Sequence, residues 1–362
     1  MALVPGIRRR DRVARDGVTP ARTRAAALLC LCAAAAACAR SRGHVEKDVV
    51  FDRYSELSRN EEILRRIMSP LEFERAQRVV EGQGQALAER PLDLSKERFT
   101  VYVPAGAPPA AGYGLVVFVA PWPEATEPRR WRPPLDRHGI VFVSAARSGN
   151  ESKVYERRLP LALLAYENVR ARYPIDPSRV WVAGFSGGAR VAQAAALAYP
   201  DVFRGALLST GSSPIGGGRG LRLPPAPLLR RFQESRLVFV TGAEDVAAVE
   251  DDQVTQASLR AWCVQDVQVL TRPSSVHEPL DPHGLDLALT ALERPSAIDR
   301  EALARCDGEI QRALAAKLGD AEAAVARVDR AGARAKIDAI DAQYGGLAAP
   351  RILELDARLT AP

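Results

Sequence analysis

The residues best suited to chemistry sit in Gly184-Phe185-Ser186-Gly187-Gly188, a G-x-S-x-G pattern. A serine hydroxyl becomes a useful nucleophile when it stands exposed on a tight turn with a base beside it. Small residues around it let a strand, a turn and a helix approach without side-chain clashes. The flanking sequence has that order. Val180-Trp181-Val182-Ala183 is an apolar run of strand length, and Ala189–Tyr199 is an Ala-rich stretch stopped by Pro200. A strand entering the turn and a helix leaving it make a nucleophile elbow. The Gly187 N–H then lies at a helix N-terminus, where negative charge developing on a carbonyl oxygen is favoured.

Such a serine needs a base, and the chain has four histidines. His44 lies close to the N-terminal leader. His138 lies in the turn Asp136-Arg137-His138-Gly139, and His283 opens a helical stretch. His277 lies in Pro273-Ser274-Ser275-Val276-His277-Glu278-Pro279, a loop that follows the apolar run Val267-Gln268-Val269-Leu270. His277 is the expected base, with His283 as the second candidate. The acid that orients the imidazole should lie between serine and histidine, after a strand. Leu237-Val238-Phe239-Val240 runs into Thr241-Gly242-Ala243-Glu244-Asp245. Asp245 is the expected acid and Glu244 the alternative; a turn or helix cap is the other use of a carboxylate in such a place. A second oxyanion donor is expected from the loop after Leu115–Ala120, which reads Pro121-Trp122-Pro123. Proline has no N–H to give, so the candidate is Trp122, whose ring has the alternative use of covering the core.

These stretches resemble a known family. Tyr173-Pro174-Ile175-Asp176-Pro177-Ser178-Arg179-Val180-Trp181, the elbow at Gly184–Gly188, and Tyr199-Pro200-Asp201-Val202-Phe203 are similar to the approach, elbow and exit of α/β-hydrolase fold serine esterases of the polyhydroxybutyrate depolymerase-like and feruloyl esterase-like kind. The resemblance covers residues 96–294. It implies Ser186 as nucleophile, Asp245 as acid and His277 as base, and no cofactor. The family often has a His-Gly pair at the oxyanion loop, where this chain has Ala120-Pro121-Trp122. Polymer-degrading members often add a domain with exposed aromatics, whereas residues 295–362 contain a single aromatic, Tyr344.

Positioning these groups requires a strand after which each can be placed. Phe99–Val103, Gly114–Ala120, Ile140–Val143, Val180–Ala183, Ala206–Leu208, Leu237–Val240 and Val267–Leu270 are short apolar runs, several too continuous for a sheet with one wet face. Helical stretches alternate with them at 153–173, 187–199, 252–262 and 284–293. The expected class is α/β with a mostly parallel central sheet, of the α/β-hydrolase type. Residues 39–95 are expected to form an N-terminal helical segment, with Ser69 capping a helix that starts at Pro70. Residues 295–362 are expected to form a C-terminal helical extension around Leu303, Ile310, Leu314 and Leu318, broken at Gly345-Gly346. The Gly- and Pro-rich stretch Gly211–Pro227 either borders the substrate or is a surface loop; Arg219 and Arg222 in it are solvated charges or contacts for an acidic substrate.

Residues 1–38 read as a leader. Residues 1–24 hold seven Arg and two Asp, and the apolar run Ala25–Ala37 that follows is of signal-peptide length and too short to span a bilayer. The run ends in Ala37-Cys38, which resembles a lipoprotein cleavage site with Ala35 where Leu is usual. Cys38 is therefore the expected lipidated N-terminus, a plain secretory cut being the alternative, and the destination is the periplasm or cell envelope. The net charge of +6 is concentrated in the leader, which holds +5 of it. A nucleic-acid partner is not expected, and membrane contact is expected only through a lipid anchor. An oxidising destination permits Cys263 and Cys306 to pair, two separate buried thiols being the other reading. With 47% apolar and 26% charged residues in 362, composition excludes a disordered, collagenous or polytopic membrane chain. No Cys/His spacing suggests a metal site.

The expected function is hydrolysis of a small-molecule or oligomeric carboxylic ester through an acyl-enzyme. The alternatives are a non-catalytic envelope-binding lipoprotein that keeps the fold, or a peptidase or acyltransferase with the same triad.

Overall fold

Alternate side chains of one central sheet feed two separate cores. The computed structural model describes residues 43–360 apart from Arg219 and Ala297; the leader and Cys38 lie outside the described residues, as does Arg219. The strands are β1 (His44–Val49), β2 (Phe99–Val103), β3 (Tyr113–Val119), β4 (Ile140–Ala145), β5 (Ile175–Phe185), β6 (Gly205–Ser209), β7 (Arg236–Gly242) and β8 (Val267–Arg272). Their order across the sheet is β1-β2-β4-β3-β5-β6-β7-β8. β2 runs antiparallel to both of its neighbours, and the remaining pairs are parallel. This is the strand order of the α/β-hydrolase fold, the class expected from the sequence.

The helices are α1 (Asn60–Ile67), α2 (Pro70–Gly82), α3 (Arg132–His138), α4 (Leu159–Arg172), α5 (Gly187–Ala198), α6 (Ala226–Gln233), α7 (Val246–Ala261), α8 (Pro282–Glu293), α9 (Arg300–Ala326), α10 (Arg330–Tyr344) and α11 (Arg351–Thr360). In β3, Leu115, Val117 and Val119 join one core, while Val116 and Phe118 join the other. The period of two of a strand explains why the run is apolar throughout: both of its faces are covered. The first core is closed by α4, α5 and the C-terminal helices, through Leu314, Ile337, Ile352 and Leu355. The second is closed by α3 and α8, through Trp131, Leu135, Leu285 and Leu289.

One segment differs from the sequence reading. Residues 39–95 read as a helical segment, yet His44–Val49 is an edge strand paired with β2, so the sheet begins well before residue 96. Val45 and Val49 stand four apart and imitate a helical face. A register shift between Glu46 and Val49, with Asp48 at φ 53°, breaks the alternation that would have marked a strand. The charged Glu46-Lys47-Asp48 run also suits an edge, where it discourages pairing with another chain. Between Asn60 and Gly82 the helical expectation matches, and Ser69 caps α2 with a reciprocal contact to Glu72, whereas residues 85–93 are not helical.

The C-terminal helices are integral to the first core. Asp356, almost wholly buried, accepts hydrogen bonds from Arg75 at 2.7 Å, Arg78 at 2.6 Å and Arg334. Burial pushes its carboxyl up, but the arginines prevail and hold it below the usual carboxylate range. Cys263 and Cys306 form a disulfide with Cα atoms 5.9 Å apart, joining the end of α7 to α9. Tyr344, the sole aromatic of the tail, packs edge-on against Trp262.

Candidate active site

Ser186 sits at the C-terminal end of β5, where the chain reverses into α5. Its backbone is at φ 54°, ψ −124°, a conformation that costs a non-glycine residue about 1–3 kcal/mol and is held only by its surroundings. The surroundings show how. A Cβ on Gly188 would lie 1.9 Å from the Val119 carbonyl oxygen, and one on Gly184 would lie 2.3 Å from the Gly188 backbone. Only glycine lets β3, β5 and α5 meet this closely. The Ser186 N–H donates to Ser209 O on β6 at 2.8 Å, which fixes the turn from the other side.

Two loops bring partners to this serine. β7 ends in Ala243-Glu244-Asp245, where Asp245 caps α7. β8 ends in the loop containing His277. The Glu244 N–H donates to Ser275 O at 3.0 Å, which ties the two loops to each other. His277 Nε2 lies 2.9 Å from Ser186 Oγ, and His277 Nδ1 lies 2.6 Å from Asp245 Oδ2. With the proton on Nδ1, the imidazole donates to Asp245 and accepts from the serine hydroxyl. The Asp245 side chain is only 13% exposed and the His277 side chain 50% exposed. The carboxylate is thus sheltered while the imidazole and serine face solvent. The Phe185 ring lies against His277, with centroids 5.1 Å apart.

The other candidates fall elsewhere. His283 is exposed near the start of α8. His138 binds Glu293 and Asp286, and His44 binds Glu46. Glu244 is exposed, and among the described residues its side chain has no hydrogen bond to His277. Arg222, offered as a contact for an acidic substrate, donates to Glu72 at 2.5 Å and to Ala342 O, so it ties the 211–227 stretch to α2 and α10. The start of that stretch does border the serine: a Cβ on Gly211 would lie 2.3 Å from Ser186 O.

The loop after β3 starts against the elbow, where a Cβ on Gly188 would lie 3.2 Å from the Ala120 carbonyl carbon. Gly187 and Trp122 have backbone N–H groups with no hydrogen-bond acceptor among the described residues. The Trp122 ring covers part of the second core, packing against Phe118 and Phe185, and its Nε1 donates to Thr126 Oγ1 at 3.0 Å. Ring and N–H can therefore serve both uses foreseen for this residue.

Two supporting residues carry no sequence signal. Arg158 is 3% exposed and donates to Ser148 O at 2.8 Å and Ala120 O at 2.9 Å, bridging the loops after β4 and β3. Burial draws its guanidinium below the usual value. Asp252 on α7 accepts from Thr241 Oγ1 at 2.5 Å and Ser212 Oγ at 2.6 Å, joining the ends of β7 and β6 behind Asp245. Burial raises its carboxyl above the usual range, against those two hydrogen bonds.

Comparison with known proteins adds the following. No family model matches the chain. A curated protein, poly(3-hydroxyalkanoate) depolymerase C from Paucimonas lemoignei, is 48% identical over 52 residues, 14% of this chain and 11% of that protein. The chain thus spans about a tenth of the curated relative it matches. Among solved structures, a thermostable esterase is 19% identical with a TM-score of 0.39, covering 59% of each chain. An esterase from Thermogutta terrifontis is 20% identical with a TM-score of 0.40, covering 56% of this chain and 87% of the other. An S-formylglutathione hydrolase from Staphylococcus aureus is 15% identical with a TM-score of 0.42, covering 54% and 91%.

Proposed function

We propose that this chain is a serine hydrolase that cleaves carboxylic esters through an acyl-enzyme. The observation that carries the reading is the unbroken hydrogen-bond chain from Ser186 Oγ through the His277 ring to Asp245. Ser186 Oγ attacks the ester carbonyl carbon as His277 Nε2 takes its proton. The carbonyl oxygen becomes an oxyanion facing the Gly187 and Trp122 N–H groups. Asp245 stabilises the imidazolium. His277 then gives the proton to the leaving alcohol oxygen as the C–O bond breaks. A water, deprotonated by His277, attacks the acyl-enzyme; the acid departs and Ser186 regains its proton.

No helix intervenes between β6 and α6 among the described residues, so no helical cap covers the serine from that stretch. A serine with no helical cap from that stretch suits oligomeric as well as small esters, and the name of the curated relative makes a poly(3-hydroxyalkanoate) oligomer one ester to try. The export reading joins this one: a leader cut before Cys38 would leave the enzyme on the envelope by a lipid.

The test is labelling with a fluorophosphonate probe, then a panel of alkyl and aryl esters of graded size. Wild type should be labelled at Ser186 and turn over at least one ester; a Ser186→Ala protein hydrolysing every ester at the wild-type rate would overturn the reading. Retained membrane partition in Cys38→Ser would remove the lipid anchor.

A further inference from the structure

We propose that the Asn150 carboxamide is a third oxyanion donor, acting through Nδ2 beside the Gly187 and Trp122 N–H groups. The inference rests on Ser186 being the nucleophile. Asn150 follows β4, far in sequence from the elbow, yet its side chain lies directly on Gly187. A Cβ built on Gly187 would stand 2.2 Å from Asn150 Oδ1, 2.9 Å from Cγ and 3.1 Å from Nδ2. The whole amide group therefore fills the space that a side chain at position 187 would need. This gives the glycine after the nucleophile a reason beyond the turn itself.

The amide is exposed, and no described residue accepts a hydrogen bond from it or donates one to it. Two N–H bonds are thus free for water or for a substrate oxygen. An amide suits the task because it stays neutral and keeps both donors across the working pH range.

Its backbone is not free. The Asn150 N–H donates to Pro121 O at 3.0 Å, and the Arg147 N–H donates to Pro123 O at 2.5 Å. A Cβ on Gly149 would meet the Trp122 carbonyl carbon at 2.7 Å. Arg158 clamps Ala120 O and Ser148 O from beneath. The Trp122 loop and Asn150 are therefore joined at several points, with the Asn150 amide against Gly187. Because prolines flank Trp122, this loop offers a single N–H where the oxyanion forms, and a side-chain donor from the adjoining loop makes up the number. Donors that are placed before reaction stabilise the transition state without reorganising.

The experiment compares Asn150→Ala and Asn150→Asp with wild type on the best ester of the panel, and measures inhibition by a boronic acid, which mimics the tetrahedral state. Asn150→Ala should lower kcat by about 10²–10³-fold, leave KM within about threefold, and weaken the boronate by a factor close to the loss in kcat/KM. Asn150→Asp has the same shape but places negative charge toward the oxyanion, and should lose at least as much. Unchanged melting curves confirm folding. A kcat within threefold of wild type in Asn150→Ala, or a loss confined to KM, overturns the proposal. Activity surviving in Ser186→Ala overturns the nucleophile instead, so the two failures are told apart.

Discussion

His277 Nε2 lies 2.9 Å from Ser186 Oγ although 91 residues separate them. The contact exists because both residues leave the same edge of the sheet, at the C-terminal ends of parallel strands. Residues acting as one unit lose most of their effect when any member is removed. Ser186→Ala and His277→Ala should each lower kcat by roughly 10⁴–10⁶-fold, and Asp245→Asn by about 10⁴ with the fold intact. Rates on a single ester, with far-UV spectra as the folding control, decide it. His283→Ala should keep the wild-type rate.

The geometry around Ser186 is legible in the sequence because it is mostly local. Strand, turn and helix are contiguous, and three glycines mark the crowding. Asp245 and His277 are found by chain order and by their place after apolar runs. What escapes is set by packing between distant segments. Asn150 reaches Gly187 only because the loops after β3 and β4 are joined, and Arg158 gains its place through two carbonyls on those loops. Nothing in Val154-Tyr155-Glu156-Arg157-Arg158 distinguishes the second arginine from the first, yet Arg157 pairs with Glu97 while Arg158 is buried with no ion pair to a carboxylate among the described residues. β1 escapes because its bulge leaves two valines at helical spacing. The short helix α3 escapes because Arg132-Pro133-Pro134 reads as a breaker, although prolines are tolerated in a first turn.

The Cys263–Cys306 bridge closes a separation of 43 residues that includes β8, the His277 loop and α8. Closing such a loop restricts the unfolded chain by about 3–4 kcal/mol. Cys263→Ser/Cys306→Ser should lower stability to denaturant by that order, and reductant should reproduce the effect in wild type but not in the double variant. Equal midpoints for all samples would show that the bridge contributes nothing.

Arg158 offers a test of the buried clamp. Arg158→Met keeps much of the side-chain volume but leaves the Ala120 and Ser148 carbonyls without this donor. An unsatisfied buried polar group costs about 1–3 kcal/mol, so the melting temperature should fall. The loop that presents Trp122 and Asn150 should also loosen, lowering kcat more than it raises KM. Lysine at this position supplies charge without the fork and should recover only part of the loss. A variant with wild-type melting and wild-type kcat would show that neither carbonyl needs the guanidinium.

The last expectation concerns pH and lies away from the serine. His138 Nδ1 is 2.6 Å from Glu293 Oε2, and its Nε2 is 3.2 Å from Asp286 Oδ1. Arg179 also binds Glu293, and Arg137 binds Asp286 at 2.7 Å. The hydrogen bond to Glu293 raises the imidazole above its ordinary 6.5; burial opposes this and Asp286 adds to it. A folded value above the unfolded one stabilises the native state fully below the unfolded value, and that stabilisation is lost as pH rises through the folded value. The pair joins α3 to α8 over the second core, so its loss should register in global unfolding. As pH rises from about 6.5, the unfolded imidazole value, through the raised folded value, wild type should therefore lose melting temperature more steeply than His138→Gln, which has no titrating group there. The gap between the two proteins should be widest at the acid end of that window and narrow toward the alkaline end. The carboxylates Glu293 and Asp286 are held below their usual range and titrate beneath it, so they do not disturb the comparison. A gap that stays constant with pH would mean that His138 contributes packing and no charge.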